Sequence, residues 1–129
     1  MIYLDTHVVA WLYSGELDRL SPCAGERIEA EDVLISPMVV LELTYLYEID
    51  RLLVDAPVII GSLEATIGLR VCTLPFHRLV MEATLQKWTR DPFDRIIVAN
   101  AVCAQSALLT KDRQILQHCQ SAVWDTTSG

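Results

Sequence analysis

The feature that most constrains this fold is a series of short apolar runs in which polar residues do not alternate with apolar ones. The runs cover residues 2–4, 33–35, 71–74, 107–110 and 122–124, and segments with helix signals separate them. Strands buried on both faces have this composition, and they occur in parallel sheets whose crossovers are helices. The sequence therefore predicts an α/β fold, a three-layer sandwich in which a short-stranded parallel sheet is flanked by helices.

Several helix starts are marked by a capping residue followed directly by proline. Ser21-Pro22, Ser36-Pro37 and Asp91-Pro92 have this form, which suits a helix because proline at the first position has no N–H to leave unbonded. We expect helices over residues 6–13, 22–30, 37–49, 56–69, 78–88, 92–105 and 112–118. These elements fit one domain over residues 1–124, followed by a polar tail, residues 125–129, that is expected to fray.

Composition limits the class of protein. Of the 129 residues, 52% are hydrophobic, which is enough to build a core and unlike a disordered chain. Every apolar run is shorter than the ~20 residues of a membrane helix, and the first residues are too few and too acidic for a signal peptide. We therefore expect a cytoplasmic protein without membrane contact. The four cysteines lack the spacing of a zinc site and are expected to be reduced thiols.

The net charge of the chain is −7, whereas a general nucleic-acid binder is usually basic. Broad electrostatic attraction to RNA or DNA is therefore not indicated. Charge alone leaves two classes open: a nuclease whose acidic centre is neutralised by metal ions, and a protein that binds a basic partner.

Four acidic residues stand beside or within the apolar runs, namely Asp5, Glu42, Asp94 and Asp112. The carboxyl ends of parallel strands meet at one edge of the sheet, where open α/β sheets bind their ligands. Asp5, Asp112 and the start of the Ser36-Pro37 helix are expected at that edge. Taken singly, Asp5, Asp112 and the Asp91–Asp94 pair can also be explained as caps that satisfy free N–H groups at helix starts.

Glu42 is harder to explain as a cap, because it lies more than one turn inside its helix. Its helical neighbours Val39 and Leu46 are apolar, and no lysine or arginine stands three or four residues away on either side. An ionised carboxylate on such a face needs a partner or it neutralises. A bound cation would supply the partner; the alternative is a partly exposed side chain at the mouth of a cleft, without function.

The candidate ligands carry oxygen, and this favours Mg²⁺ or Mn²⁺ over zinc. Two such ions can activate a water molecule and stabilise the leaving oxygen of a phosphodiester. His7 is the one histidine beside these acids in sequence, and we expect it to have a core or surface role.

The motifs resemble those of a known family. They are Leu4-Asp5-Thr6 followed by Trp11-Leu12, Ser36-Pro37 followed by Glu42, Arg90-Asp91-Pro92-Phe93-Asp94-Arg95, and Leu109-Thr110-Lys111-Asp112. Together they are similar to the PIN domain and, more narrowly, to the VapC toxins of bacterial type II toxin–antitoxin systems. The resemblance covers essentially the whole chain, and the Asp-Pro-Phe-Asp-Arg stretch is its most specific part.

The resemblance implies a Mg²⁺- or Mn²⁺-dependent endoribonuclease, usually a homodimer, whose cognate antitoxin places a basic side chain in the acidic cleft. By match of position it implies a catalytic and metal-binding centre of Asp5, Glu42, Asp94 and Asp112, supported by Thr6, Thr110 and Asp91. The basic residues near these acids are candidates for RNA contact, with plain surface solvation as the alternative: Arg90, Arg95, Lys111 and Arg113.

Two other functions stay open. Acids at the edge of a parallel sheet also suit a phosphotransfer domain, either a receiver or an aspartyl-phosphate hydrolase. However, His7 stands where the hydrolase has its second aspartate, and the third predicted strand ends without an acid. The acids also suit a non-enzymatic interaction module in which they are only caps. A nucleotide-binding domain is not indicated, since no glycine-rich phosphate loop is present, and the three tryptophans are expected in the core or at interfaces rather than as base-stacking platforms.

Overall fold

The computed structural model describes residues 1–125, and the five strands within this range all run parallel. They are β1 (Ile2–Leu4), β2 (Val33–Ile35), β3 (Arg70–Val71), β4 (Ala107–Leu109) and β5 (Ala122–Val123). The register sets Ile2 beside Val33 of β2 and beside Ala107 of β4. Both neighbours of β1 are therefore strands, and Ile2 and Leu4 are fully buried. The predicted α/β fold with a short-stranded parallel sheet is confirmed.

Helices connect the strands and flank the sheet. They are α1 (Thr6–Ser14), α2 (Pro22–Ala30), α3 (Pro37–Glu48), α4 (Ala56–Ile67), α5 (Phe76–Ala83), α6 (Pro92–Cys103) and α7 (Arg113–His118), with a 3₁₀ turn at Leu17–Arg19. As the sequence predicts, Ser21 and Asp91 accept hydrogen bonds from the first N–H groups of α2 and α6. α1 ends where Gly15 adopts the left-handed conformation, with φ of 75°.

The third strand and the fifth helix differ from their predicted bounds. β3 ends at Val71, and only the N–H of Cys72 continues its ladder, 2.8 Å from the carbonyl of Ile35. The chain then turns at Pro75, so α5 begins two residues earlier than predicted. α5 ends at Ala83 rather than at residue 88, because three-residue turns follow it, as in the bond from the Leu85 N–H to the Glu82 carbonyl. The composition of these segments does not predict where the strand or helix hydrogen bonding stops.

Strand order in the sheet is β3-β2-β1-β4-β5. Strands β2 and β3 therefore lie on one side of β1, and β4 and β5 lie on the other side. The order reverses between β1 and β4, and such a switch point at the carboxyl ends of the strands is where open α/β sheets bind ligands. A receiver domain has the order 2-1-3-4-5, so the strand order removes the support for that alternative.

None of the helices within residues 1–125 has the length and apolar character that crossing a membrane requires. Asp125, the first residue of the expected tail, is exposed. The remaining tail positions, 126–129, lie outside the described residues, so the prediction that they fray stays a prediction.

Candidate active site

The Asp5-Thr6 pair stands where β1 ends and α1 begins, at the switch point of the sheet. Both residues are buried. The Oδ1 atom of Asp5 accepts a hydrogen bond of 2.8 Å from the Thr6 N–H, and Oδ2 accepts one of 2.6 Å from the Thr110 hydroxyl. The backbone N–H of Asp5 also donates to the carbonyl of Leu109, at 3.0 Å. Asp5 therefore caps α1, as the alternative explanation of this residue predicted. Its carboxylate is also held in place by Thr110, which directly follows β4.

Glu42 extends from α3 and is partly buried. Its Oε1 atom accepts a short hydrogen bond from the Thr6 hydroxyl. Glu42 was expected to need a partner, and the Thr6 hydroxyl is one. Thr6 lies 36 residues away, so the spacing of residues along a helix could not identify it. Within residues 1–125, the second oxygen of Glu42 receives no hydrogen bond.

Asp91 and Asp94 open α6, on either side of Pro92. The Oδ1 atom of Asp91 accepts from the N–H groups of Phe93 and Asp94, at 2.8 and 3.4 Å. Asp94 is the third residue of the helix and is partly buried, and no residue in the described range donates a hydrogen bond to its carboxylate. Asp91 is thus committed to capping, whereas the carboxylate of Asp94 is available for a ligand.

Thr110 joins Asp5 to Asp112. Its hydroxyl donates to Asp5 and accepts from the backbone N–H of Asp112 at 3.0 Å. The Asp112 carboxylate is exposed and caps α7, accepting from the N–H groups of Gln114 and Ile115 at 2.9 and 3.1 Å. Thr110 therefore links Asp112 to Asp5, but the Oδ1 atom of Asp112 is engaged in the cap of α7.

The acids share one electrostatic environment. Burial, followed by the charges of Asp91, Asp5, Asp112 and Glu42, raises the pKa of Asp94 to about 7. Burial also raises the pKa of Asp5 and that of Glu42, although hydrogen bonds from Thr110 and Thr6 oppose the effect. No lysine or arginine of the described range forms an ion pair with any of these carboxylates. The cluster is therefore acidic without a compensating charge from the described part of the chain.

These residues fit a hard divalent cation that retains water ligands. Within residues 1–125, no three aspartate, glutamate, histidine or cysteine side chains stand ready as a complete metal-binding group. Mg²⁺ is commonly held by only one or two carboxylates, with water and substrate phosphate completing its shell. The free oxygens of Asp94 and Glu42 supply that many ligands, and the oxygen donors and unbalanced negative charge match this ion better than zinc.

The four basic residues predicted to contact RNA have different surroundings. Arg90 and Arg95 donate to backbone carbonyls of the loop before α6, at 3.0 Å to Lys87 and 2.9 Å to Thr89. The ammonium group of Lys111 lies 6.0 Å from the ring centroid of Trp11. The exposed side chain of Arg113 makes no hydrogen bond or ion pair within the described range. Contact with RNA stays a prediction for all four.

Sequence reasoning missed a contact that holds the start of α6 beside α7. The rings of Trp88 and His118 stack with centroids 5.4 Å apart and an angle of 6° between their planes. The Gln114 side-chain amide donates to the carbonyl of Trp88 at 3.0 Å, and the Thr89 hydroxyl accepts from the N–H of Asp91 at 3.1 Å. The Thr89–Asp91 bond is local, but Trp88 lies 26 positions from Gln114 and far from His118 in sequence, so no local pattern could have revealed these two contacts.

Fold and site together define a class, that of parallel α/β proteins with interacting carboxylates at the switch point of the sheet. The sequence model of the PIN domain family matches residues 2–120, and the chain belongs to that family. It is similar to Ribonuclease VapC22 of Mycobacterium tuberculosis (strain ATCC 25618 / H37Rv), with 31% identity over 119 residues that make up 91% of each chain. The resemblance to the PIN domain seen in the sequence motifs is confirmed.

Solved structures with the same fold include three toxin–antitoxin assemblies. A toxin–antitoxin complex from Klebsiella pneumoniae matches with a TM-score of 0.67 and 16% identity, over 95% of this chain and 96% of that chain. VapBC2 from Rickettsia felis, bound to a DNA fragment from its promoter, matches with a TM-score of 0.58 and 17% identity, over 97% and 100%. VapBC-1 from nontypeable Haemophilus influenzae matches with a TM-score of 0.56 and 17% identity, over 96% of both chains. At these identities the similarity shows the fold.

Proposed function

We propose that this protein is a metal-dependent endoribonuclease that cleaves RNA phosphodiester bonds and serves as the toxin of a type II toxin–antitoxin system. The observation that carries the proposal is the uncompensated carboxylate cluster at the switch point, in which the pKa of Asp94 is raised to about 7. The name of the similar ribonuclease supports the activity. The toxin–antitoxin complexes that share the fold support the biological role.

In this proposal Asp5, Glu42, Asp94 and Asp112 form the catalytic centre and hold Mg²⁺ or Mn²⁺, directly or through water. When bound, such an ion supplies Lewis-acid activation of water and neutralises charge on the phosphate. Asp94 offers both carboxylate oxygens, and Glu42 its second oxygen, without a competing donor, whereas Asp5 and Asp112 set the geometry. The supporting groups keep these acids in place, Thr6 and Thr110 through their hydroxyls and Asp91 through the cap of α6.

The proposed partners follow from charge and from exposed apolar side chains. With a net charge of −7, the protein suits an antitoxin that places a basic side chain in the acidic cleft. RNA is held near the acids by Arg90, Arg95, Lys111 and Arg113. A homodimer is expected, and exposed apolar residues offer surface for it: Leu41 and Tyr45 on α3, Met81 on α5 and Leu85 just after α5. Sedimentation measures the oligomeric state.

The direct test is the substitution Asp94→Asn, which keeps the shape of the side chain and removes its charge. We expect cleavage of RNA in Mg²⁺ to fall at least ~100-fold because a cation ligand is lost, with the fold retained in circular dichroism and thermal melting. Asp18→Asn is the matched control, because Asp18 is an exposed aspartate of the 3₁₀ turn. Cleavage by Asp94→Asn at the rate of Asp18→Asn would refute the assignment.

A further inference from the structure

Trp11 collects three cationic or ionisable groups around its ring. The Arg19 guanidinium lies 5.6 Å from the ring centroid, the Lys111 ammonium lies 6.0 Å from it, and the His7 ring lies 6.3 Å away. Trp11 also contacts Trp124 edge to face, with centroids 6.0 Å apart. The indole is therefore anchored against the core as the sequence predicted, but it is only partly buried, and cationic groups surround it.

This cluster directly adjoins the carboxylates. Lys111 stands between Thr110, whose hydroxyl binds Asp5, and Asp112. His7 directly follows Thr6, whose hydroxyl donates to Glu42. Trp11 lies one turn of α1 beyond His7, so we expect a polymer bound at the acids to extend to Trp11.

The His7 and Trp11 side chains of α1 also line a cavity. It has a volume of about 400 Å³ and lies between α1 and residues 51–54, lined by His7, Trp11, Tyr13, Arg51 and Leu52 among others, and by Glu16, whose charge is paired with Arg19. This size is within the range of small-ligand sites. Aromatic and aliphatic walls suit the flat apolar face of a nucleobase, and the exposed Arg51 guanidinium is a donor for polar groups on its edge.

We propose that Trp11 is a stacking platform for an unpaired RNA base next to the scissile phosphate, and that Lys111 binds the adjoining phosphate. The inference rests on the proposed ribonuclease function and specifies how the site holds its substrate. A chain with a net charge of −7 cannot attract RNA through its overall field, so binding requires a local cationic and aromatic site. Lys111 forms no ion pair within the described range, whereas Arg19 is paired with Glu16 at 3.0 Å, so Lys111 is the cation available to a phosphate.

The test measures binding without cleavage. The full chain carrying Asp94→Asn is titrated with a labelled random-sequence hexaribonucleotide and with an abasic hexamer of the same charge. Adding Trp11→Leu should weaken binding of the intact RNA at least about fivefold, the factor that one stacked base contributes, and should leave binding of the abasic strand unchanged. Lys111→Gln should weaken binding of both strands and lower the salt dependence by about one phosphate contact.

Lys87→Gln is the matched control, because Lys87 is the only other lysine of the chain and is exposed; it should bind RNA as the parent does. If Trp11→Leu does not fold, Trp11→Phe replaces it. Stacking should then quench the tryptophan emission of the parent and of Trp88→Phe on RNA binding, but not that of Trp11→Phe.

The outcomes separate this inference from the proposed function. Equal affinity of folded Trp11→Leu and its parent for intact RNA, or quenching in Trp11→Phe as strong as in the parent, overturns the platform and leaves the ribonuclease assignment intact. So does an equal loss of affinity for intact and abasic strands, because the lost interaction is then not with a base. If Trp11→Leu weakens only binding of the antitoxin, the cavity belongs to a protein partner and the base subsite is wrong. If the Asp94→Asn protein binds no RNA and the natural chain cleaves none, both proposals fall.

Discussion

Two buried hydroxyl groups organise the carboxylates of this protein. Thr6 and Thr110 are fully buried, and each donates to an acid that belongs to a different segment, Glu42 of α3 and Asp5 after β1. Hydrogen bonds to an ionised carboxylate favour its charged form, whereas burial disfavours it. The hydroxyls therefore help to keep Asp5 and Glu42 available to a cation in surroundings that would otherwise favour protonation.

Thr110→Val tests this role with a side chain of nearly the same shape. We expect a loss of about 1–3 kcal/mol in the free energy of unfolding, because Asp5 Oδ2 and the N–H of Asp112 lose their partner. We also expect the affinity for Mn²⁺ to fall roughly 10–100-fold. Urea denaturation and metal titration by calorimetry measure the two effects. Thr66→Val is the control, since the exposed Thr66 hydroxyl donates only to the Ser62 carbonyl of its own helix, and we expect a change within about 0.5 kcal/mol. Equal behaviour of the two variants would show that the Thr110 hydroxyl does not hold the site.

The raised pKa values predict how stability depends on pH when divalent ions are absent. Between the ordinary value of 3.8 and about 7, Asp94 binds more protons in the folded chain than in the unfolded one. A group of this kind makes the folded state less stable as the pH rises through that range. In EDTA, the natural chain should therefore lose more stability between pH 5 and pH 8 than Asp94→Asn does, and urea denaturation at both pH values measures the difference. Parallel losses in the two proteins would mean that Asp94 is an ordinary exposed carboxyl group.

At the scale of elements, the loop between α5 and α6 positions the acids at the start of α6. The stacked rings of Trp88 and His118 and the bond from Gln114 to the Trp88 carbonyl attach this loop to α7. Asp91 and Asp94 follow within six residues, and Asp112 caps the helix to which the loop is attached. The separation of Asp94 from Asp112 therefore depends on packing between a loop and a helix rather than on either element alone.

Trp88→Ala should loosen that attachment. We expect a loss of about 1–3 kcal/mol in stability from the buried ring area and the stacked pair. We also expect cleavage to require more Mg²⁺ while the rate at saturating Mg²⁺ changes little, because the chemical groups remain. Trp88→Phe keeps an aromatic ring on His118 and should restore most of the metal affinity. Thermal melting and cleavage rates over a range of Mg²⁺ concentrations measure both effects; a lower saturating rate with unchanged metal dependence would contradict the positioning role.

At the scale of the whole molecule, negative charge and fold act together. A chain with a net charge of −7 concentrates several of its carboxylates at the one edge of a parallel sheet where loops from both halves of the sheet meet. Their mutual repulsion costs stability that a bound divalent cation would offset. The free protein is therefore expected to be less stable than its metal complex.

Thermal melting in MgCl₂ or MnCl₂ tests this expectation and separates the enzyme from the interaction module. Binding to the folded state alone should stabilise it by about 2.7 kcal/mol at a hundred times the dissociation constant. NaCl at equal ionic strength controls for screening, and Asp94→Asn should lose most of the specific gain. The same melting temperature in MgCl₂ and in NaCl would favour a module whose acids serve only as caps.

Local patterns were sufficient for the parts of this structure that depend on neighbours in sequence. The helix starts at Ser21-Pro22, Ser36-Pro37 and Asp91-Pro92 lie where the sequence predicts them, because a cap and its proline act within one turn. The predicted ends of β3 and α5 were wrong by up to five residues. At these ends the backbone groups stop bonding within the strand or helix, and the composition of the side chains does not mark where that happens. The bond from Thr6 to Glu42 and the stacking of Trp88 on His118 join distant segments, so no spacing rule could detect them.

The amino-acid order by itself indicated that the strands are parallel and that parallel strands bring Asp5 and Asp112 to one edge, because these properties follow from composition and chain direction. It also predicted buried strands, which holds for β1, β2 and most of β4 but not for the edge strands β3 and β5. It indicated, too, that Asp5, Asp91 and Asp112 can cap helices, as they do, but it missed the cap that Asp55 forms on α4. Only the tertiary structure decided that β1 and β4 are neighbours, that Thr110 therefore reaches Asp5, and that the acids raise the pKa of Asp94 together. Distances between segments far apart in the chain depend on how the entire core packs, and electrostatic coupling depends on those distances and on burial.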